Sequence, residues 1–308
     1  VETTIEHFQR RNIEHYGQTI LMILKKEIEK LAEDKGVAKS TIDKDWVLGH
    51  FLDAIFSIPK CKESLVFKGG TCLKKCYFPD YRFSEDLDFT SINPDFLLDK
   101  KLLTRITKLV NERTDAPLYI QELKQLKHKD KSTGYSAIIN FWGADHPRNQ
   151  APPSPERWTT SIKIEIILYE TIFFPIEQRQ ITHNYSDKLL SSFQSIPCYS
   201  IPEVLSEKLR ALIQRSYTAP RDFYDIWYLA NNVSDLNWKN IVEAFHKKMA
   251  FKGLKFTGID QMINEENDKR LQAAWANSLG HQIAKEQLSE YKNVKSELQG
   301  LFQKIFNS

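Results

Sequence analysis

The sequence predicts a mixed α/β (α+β) core with an N-terminal helical segment ahead of it and an all-α region behind it. Three observations carry that prediction. Leu65-Val66-Phe67 is a short apolar run that stops at Lys68-Gly69-Gly70-Thr71, after which Leu73, Cys76 and Tyr77 recur at helical spacing. Runs of strand character then fill the middle of the chain. From Pro202 onward the apolar residues keep a helical period almost to the end. The resulting organisation is residues 1–60 as N-terminal helices packed on the core, 61–201 as the α/β core and 202–308 as a helical domain that completes the site.

In order along the chain, Ile5, Phe8, Ile13, Tyr16, Ile20, Leu24, Ile28 and Leu31 predict an amphipathic helix over 3–34, and 43–57 repeats the signal. After the strand, glycine turn and helix at 65–77, the pattern predicts a strand at 86–90 and a helix at 95–113. Strands at 118–127 and 135–143 flank a polar turn at 128–134, which reads as a β-hairpin. A proline-rich loop at 151–155 precedes an isoleucine-rich strand at 161–169 and a shorter one at 196–201. Helices follow at 203–216, 221–231, 236–250 and 267–307.

The 308 residues suffice for a full core without staples. Lys+Arg 43 against Asp+Glu 40 leaves only +3, so any nucleic-acid binding must come from a local patch. Cys61, Cys72, Cys76 and Cys198 form no C-x-x-C pair and lie near no histidine at zinc spacing, so they read as reduced, buried thiols. No apolar run reaches the roughly 18 residues that a bilayer span needs, and residues 1–9 lack the basic-then-apolar pattern of a signal peptide. No membrane is expected, and the cytoplasm is the expected compartment.

Chemistry concentrates in Arg82-Phe83-Ser84-Glu85-Asp86-Leu87-Asp88-Phe89. Alternate strand residues share a face, so Asp86 and Asp88 point together while Leu87 and Phe89 point into an apolar layer. Two carboxylates that close repel unless a cation sits between them, and hard oxygen donors suit Mg²⁺. An ordinary strand edge offering acids to water is the alternative. Gly69-Gly70-Thr71, between a strand and a helix, lets a phosphate approach backbone N–H groups, or else is a plain turn with Thr71 as its cap. Lys74, Arg82 and Ser84 supply cations and a hydroxyl for triphosphate oxygens if they face the same way.

In Ser161-Ile162-Lys163-Ile164-Glu165-Ile166 the same parity places Lys163 and Glu165 on one face, as a third carboxylate and a phosphate or base contact, or as a surface ion pair. Lys208 and Arg215 flank the apolar stripe of a helix seven residues apart and can aim at one anion or snorkel from its rim. The next helix opens with Pro220-Arg221-Asp222-Phe223-Tyr224-Asp225, where acids in the first turn also suit the helix dipole and Arg221 can pair with Asp225. Two basic stretches offer a seat to a polyanion: Lys124, Lys127, Lys129 and Lys131 around the hairpin turn, and Lys247, Lys248, Lys252 and Lys255 interleaved with Phe251 and Phe256. Solvated faces are the alternative for both.

Taken in order, these segments from about Lys44 to Leu229 resemble the AbiEii/AbiGii toxin family of nucleotidyltransferases. The resemblance runs through Lys68-Gly69-Gly70-Thr71-Cys72-Leu73-Lys74, the D-x-D strand, Lys163-Ile164-Glu165, Glu207-Lys208-Leu209-Arg210-Ala211-Leu212 and Arg221-Asp222-Phe223-Tyr224-Asp225-Ile226-Trp227. It implies a DNA-polymerase-beta-like nucleotidyltransferase core in which Asp86 and Asp88, with Glu165, hold Mg²⁺ or Mn²⁺. The implied triphosphate contacts are Gly69, Gly70, Thr71, Ser84 and Lys208, and the positions of Lys208 and Asp222 are needed for activity. It further implies an NTP substrate, an RNA acceptor such as tRNA, and a separately encoded antitoxin. Two alternative functions share the core: a nucleotide sensor without turnover, and an enzyme that modifies a small molecule. Ser206 stands where many relatives have alanine, Glu165 stands where related enzymes have aspartate, and 232–308 carries no matching signature.

Overall fold

A seven-stranded mixed sheet of order β3-β4-β5-β2-β1-β7-β6 forms the centre of the molecule. The structure is a computed structural model that describes residues 23–146, 151–190, 194–215 and 219–307. The strands are β1 (Leu65–Lys68), β2 (Asp86–Ser91), β3 (Leu118–His128), β4 (Lys131–Phe141), β5 (Ser161–Ile167), β6 (Glu177–Gln180) and β7 (Ser195–Cys198). β2 pairs antiparallel with β1 and parallel with β5, while β4 joins β5 to the edge strand β3, both antiparallel. On the far side β7 runs parallel to β1 and antiparallel to β6.

The helices are α1 (Lys25–Lys35), α2 (Lys39–Phe56), α3 (Pro59–Ser64), α4 (Gly69–Cys72, continued by a π-helical turn through Tyr77), α5 (Lys100–Thr114), α6 (Ile201–Gln214), α7 (Pro220–Asn232), α8 (Trp238–Phe251), α9 (Glu265–Leu279) and α10 (Tyr291–Phe306). Their ends follow local chemistry. Asp99 caps α5 by accepting from the Leu102 N–H at 2.7 Å, and Pro220 opens α7, where its missing N–H costs nothing.

One face of the sheet is apolar. Phe67, Leu87, Phe89, Ile162, Ile164 and Ile166 point into a single cluster with Trp46, Phe51 and Ile55 of α2 and Leu103, Ile106 and Val110 of α5. The opposite face carries the alternate residues. There Val66 joins a second cluster built by α6 to α10, while its strand neighbour Lys68 and the acids of β2 face a cleft. Strand parity thus divides every central strand between core and site.

Several boundaries differ from expectation. Positions 3–22 of the first helix lie outside the described residues, and 23–35 holds α1. The long polar turn at 128–134 is a two-residue turn, with Lys129 and Asp130 at φ 46° and 63°, so the strands extend to His128 and from Lys131. The single helix over 267–307 is two helices, since α9 stops at Gly280 and an irregular segment intervenes before α10. β6, with one partly buried residue, has no apolar signal to reveal it.

Candidate active site

The cleft is a pocket of about 410 Å³ between the polar sheet face, one side of α6 from Val204 to Ala211 with Arg215 just past its end, and the first turn of α7. Register builds its floor: Asp86 lies beside Lys163 and Asp88 beside Glu165 across the parallel pair, and Lys68 lies opposite Asp88 on β1. Among the described residues no side chain or backbone N–H donates a hydrogen bond to the side-chain carboxylate of either aspartate. Burial pushes the Asp86 carboxyl up against the opposing pull of Lys163 and Arg221. Burial also pushes Asp88 to about 6, because repulsion from Asp86, Glu165 and Glu207 adds to it and Lys68 offsets it only in part.

The glycine turn closes against this floor. Gly69 has φ +80°, a left-handed conformation that suits glycine, and a Cβ there would stand 2.5 Å from Asp88 Oδ2. A Cβ on Gly70 would meet the Arg82 guanidinium at 2.7 Å and Ser84 Oγ at 2.9 Å. Both positions therefore require a residue without a side chain.

The wall opposite is a network of paired charges. Lys208 Nζ lies 3.0 Å from Asp222 Oδ1 and 2.5 Å from Asp225 Oδ2. Arg82 clasps Asp225 with Nε and a terminal nitrogen at 2.6 and 2.8 Å, and Tyr81 donates its hydroxyl to the same carboxylate. Burial alone would raise Asp225, but Arg82 and Lys208 hold it well below the usual carboxylate range. Burial alone would lower Lys208, and Asp225 and Asp222 reverse the sign and keep it charged. Arg215 reaches Asp222 Oδ2 at 2.5 Å.

Of the candidate residues, Gly69, Gly70, Arg82, Ser84, Asp86, Asp88, Lys163, Glu165, Lys208, Arg215 and Asp222 all line this pocket. Thr71 and Lys74 do not. The Thr71 hydroxyl donates to the Asp86 backbone carbonyl and so fixes the strand that carries the acids. The Lys74 ammonium turns away to the carbonyls of Pro79 and Tyr81, the latter at 2.9 Å, and cannot be a triphosphate contact in this position. The expected Arg221–Asp225 pair is absent because Arg82 and Lys208 already occupy Asp225, which leaves Arg221 at the pocket rim.

Sequence reasoning missed Lys68, Glu207 and Tyr199. Lys68 pairs with Glu207 at 2.7 Å, above the Tyr199 ring, and all three line the pocket. Burial opposes the Glu207 charge, yet Lys68, Lys248 and Arg210 hold its carboxyl near 2. The available signal was an acid spaced four residues from Glu203 on a helix whose stripe is otherwise apolar. Lys248, expected in a basic stretch, is fully buried, 2.6 Å from Glu203, and belongs to the same scaffold. The four cysteines are unpaired and buried, and the sulfurs of Cys72, Cys76 and Cys198 lie within 4.8 Å of one another, a convergence that exists only because β7 lies beside β1.

The donor set fits a hard divalent ion. Two carboxylates sharing a polar pocket, without hydrogen-bond donors and with raised pKa, are an arrangement that such a cation relieves. A paired-acid floor, a glycine turn that admits backbone to a phosphate and a lysine held by two aspartates define a nucleotidyltransferase. The family model described as "Nucleotidyl transferase AbiEii toxin, Type IV TA system" matches residues 50–298, and the chain belongs to this family of toxins. The fold is similar to that of MenT4, a nucleotidyltransferase toxin from Mycobacterium tuberculosis H37Rv, with TM-score 0.61, 17% identity and coverage of 93% of this chain and 90% of that one. It is also similar to a putative nucleotidyltransferase from H. pylori, with TM-score 0.52, 17% identity and coverage of 87% and 96%. No curated protein matches the sequence. Among the described residues no helix is long and apolar enough to cross a membrane.

Proposed function

We propose that this toxin transfers a nucleoside monophosphate from an NTP to a hydroxyl of an RNA acceptor, in the manner of tRNA modification, and that a separately encoded antitoxin is its partner. The observation that carries the reading is the pair Asp86 and Asp88, held on one pocket floor without donors, beside Gly69 and across from Lys208. In this reading Asp86 and Asp88, with Glu165 next to them, hold Mg²⁺ or Mn²⁺, which supplies charge neutralisation for the triphosphate and the departing pyrophosphate.

The chain's own groups do the rest. Gly69 and Gly70 give the phosphates close access to backbone, Ser84 adds a hydroxyl, and Lys208 and Arg215 bring positive charge to the far side. Asp222 and Asp225 fix the Lys208 ammonium in place and keep it protonated. The acceptor oxygen attacks the α-phosphorus, the bond from that phosphorus to the pyrophosphate oxygen breaks, and the hydroxyl proton leaves to solvent water, while Lys163, 2.5 Å from Glu165, holds that carboxylate in place on the pocket floor. Catalysis is then chiefly positioning and preorganised charge.

Incubation with labelled NTPs, Mg²⁺ and total RNA tests this. Wild type should transfer label to RNA, and Asp86→Ala or Asp88→Ala should lower the rate by about 10³-fold or more. Label transfer that persists unchanged in both variants overturns the assignment.

A further inference from the structure

We propose that the β3–β4 hairpin is the arm that holds the phosphate backbone of the acceptor strand, its tip standing just beyond the pocket rim. The proposal rests on the RNA-acceptor reading above and adds the surface that the RNA would use.

Register places the arm. Ile167 lines the pocket, Gly134 of β4 lies beside Ile167, and Leu126 of β3 lies beside Gly134. The next pair outward is Lys127 with Ser132, so the basic tip begins two strand spacings, about 10 Å, from the pocket wall. The same registers carry the polar face of Glu165 across Ser136 to Lys124. A strand leaving the pocket over β5 therefore meets β4 and then the lysines without crossing an apolar ridge of core residues.

Charge selects the occupant. Residues 124–131 hold four lysines and one aspartate, a net +3 that equals the balance of the whole chain. Lys124 is paired with Glu122 at 2.6 Å, whereas Lys127, Lys129 and Lys131 have no carboxylate partner among the described residues. The other basic stretch differs: Lys247, Lys248 and Lys252 are each neutralised, by Glu243, Glu203 and Glu170. The turn itself places Lys129 in a left-handed conformation, where asparagine or glycine is the usual choice in a two-residue hairpin. A charge is thus kept at the tip at the expense of turn preference. Next to the arm, Leu168 donates its N–H to the Thr133 carbonyl of β4 at 2.9 Å, and Tyr169, which follows it, is 53% exposed, with its ring stacked on Phe251 at 4.6 Å and the Lys252 ammonium 4.8 Å from its centroid. Unneutralised ammonium groups beside an exposed aromatic ring suit the phosphates of a single strand.

The test uses the full chain and a fluorescein-labelled single-stranded RNA, with anisotropy read across a salt series. Removing three phosphate contacts in a Lys127→Ser, Lys129→Ser, Lys131→Ser variant should make the slope of log K against log salt shallower by about 2 units and weaken binding at least about tenfold. The corresponding arginine variant should restore both, and calorimetric NTP binding should be equal in all three proteins, which shows that the serine variant is folded. RNA binding too weak to measure in wild type, or an affinity and slope unchanged by the serine substitutions, overturns the proposal. Loss of RNA affinity in the serine variant, combined with wild type that transfers label to no RNA, supports the arm and sinks the acceptor chemistry instead.

Discussion

Two sets of carboxylates face each other across one pocket, and they are treated in opposite ways. Asp222, Asp225 and Glu207, on α6 and α7, each contact one or more cations, and Asp225 and Glu207 are held below their ordinary range despite burial. The carboxylates of Asp86 and Asp88, on β2, have no hydrogen-bond donor among the described residues and are pushed upward. An acid that the protein neutralises itself is scaffold. An acid left underneutralised in a polar cleft is held ready for a ligand, and its raised pKa is the energetic mark of that readiness.

Three substitutions can break or sharpen the contrast. The largest effect should come from Asp225→Ala, which leaves Arg82 and Lys208 buried without their shared partner and should cost about 3–5 kcal/mol in urea unfolding. A variant with full stability and no activity would instead move Asp225 to the chemical side of the comparison. Lys74→Met comes next. It strips a donor from two carbonyls and should cost about 1–3 kcal/mol, with no change in calorimetric NTP affinity. A large loss of NTP affinity would return Lys74 to the triphosphate site.

Asp88→Asn should have the smallest effect on stability and the opposite sign. The folded pKa of Asp88, about 6, exceeds its ordinary 3.8, so the folded chain binds the proton more tightly than the unfolded chain does. Stability therefore falls as pH rises from about 4 to 6, and the penalty is fully present at pH 7. Without divalent ions the asparagine variant should melt about 2–4 °C higher than wild type at pH 7, and the gain should vanish toward pH 4. Scanning calorimetry in chelator at the two pH values reads this directly, and an asparagine variant that melts lower at pH 7 breaks the contrast.

The parts of the site legible in the sequence are those written in local periodicity. Parity on 86–90 and 161–166 was enough to aim Asp86, Asp88, Lys163 and Glu165 at one face, because a strand buried on its other side cannot slip by one residue without inverting its core. The Gly69-Gly70 turn was legible for a similar reason, since strand, glycine and helix signals are contiguous there. What stayed hidden depends on partners far apart in the chain. Lys68 meets Glu207 139 residues away, and Arg82 meets Asp225 143 residues away, so no spacing rule shows that the first is a site pair or that the second removes Arg221 from Asp225. Lys74 was misplaced because helical spacing fixes the direction of a Cα–Cβ bond but not where four methylenes end. Strand order and the weak β6 were likewise set by tertiary pairing.

The bare backbone at Gly69 has a use beyond chemistry. One methyl group there would intrude first on the Asp88 carboxylate, so a single-codon change should yield a disarmed chain that keeps its outer surface. Such a chain is the natural bait for asking whether an antitoxin recognises this protein physically or only counteracts its products, because cells could accumulate it without selection for loss of expression.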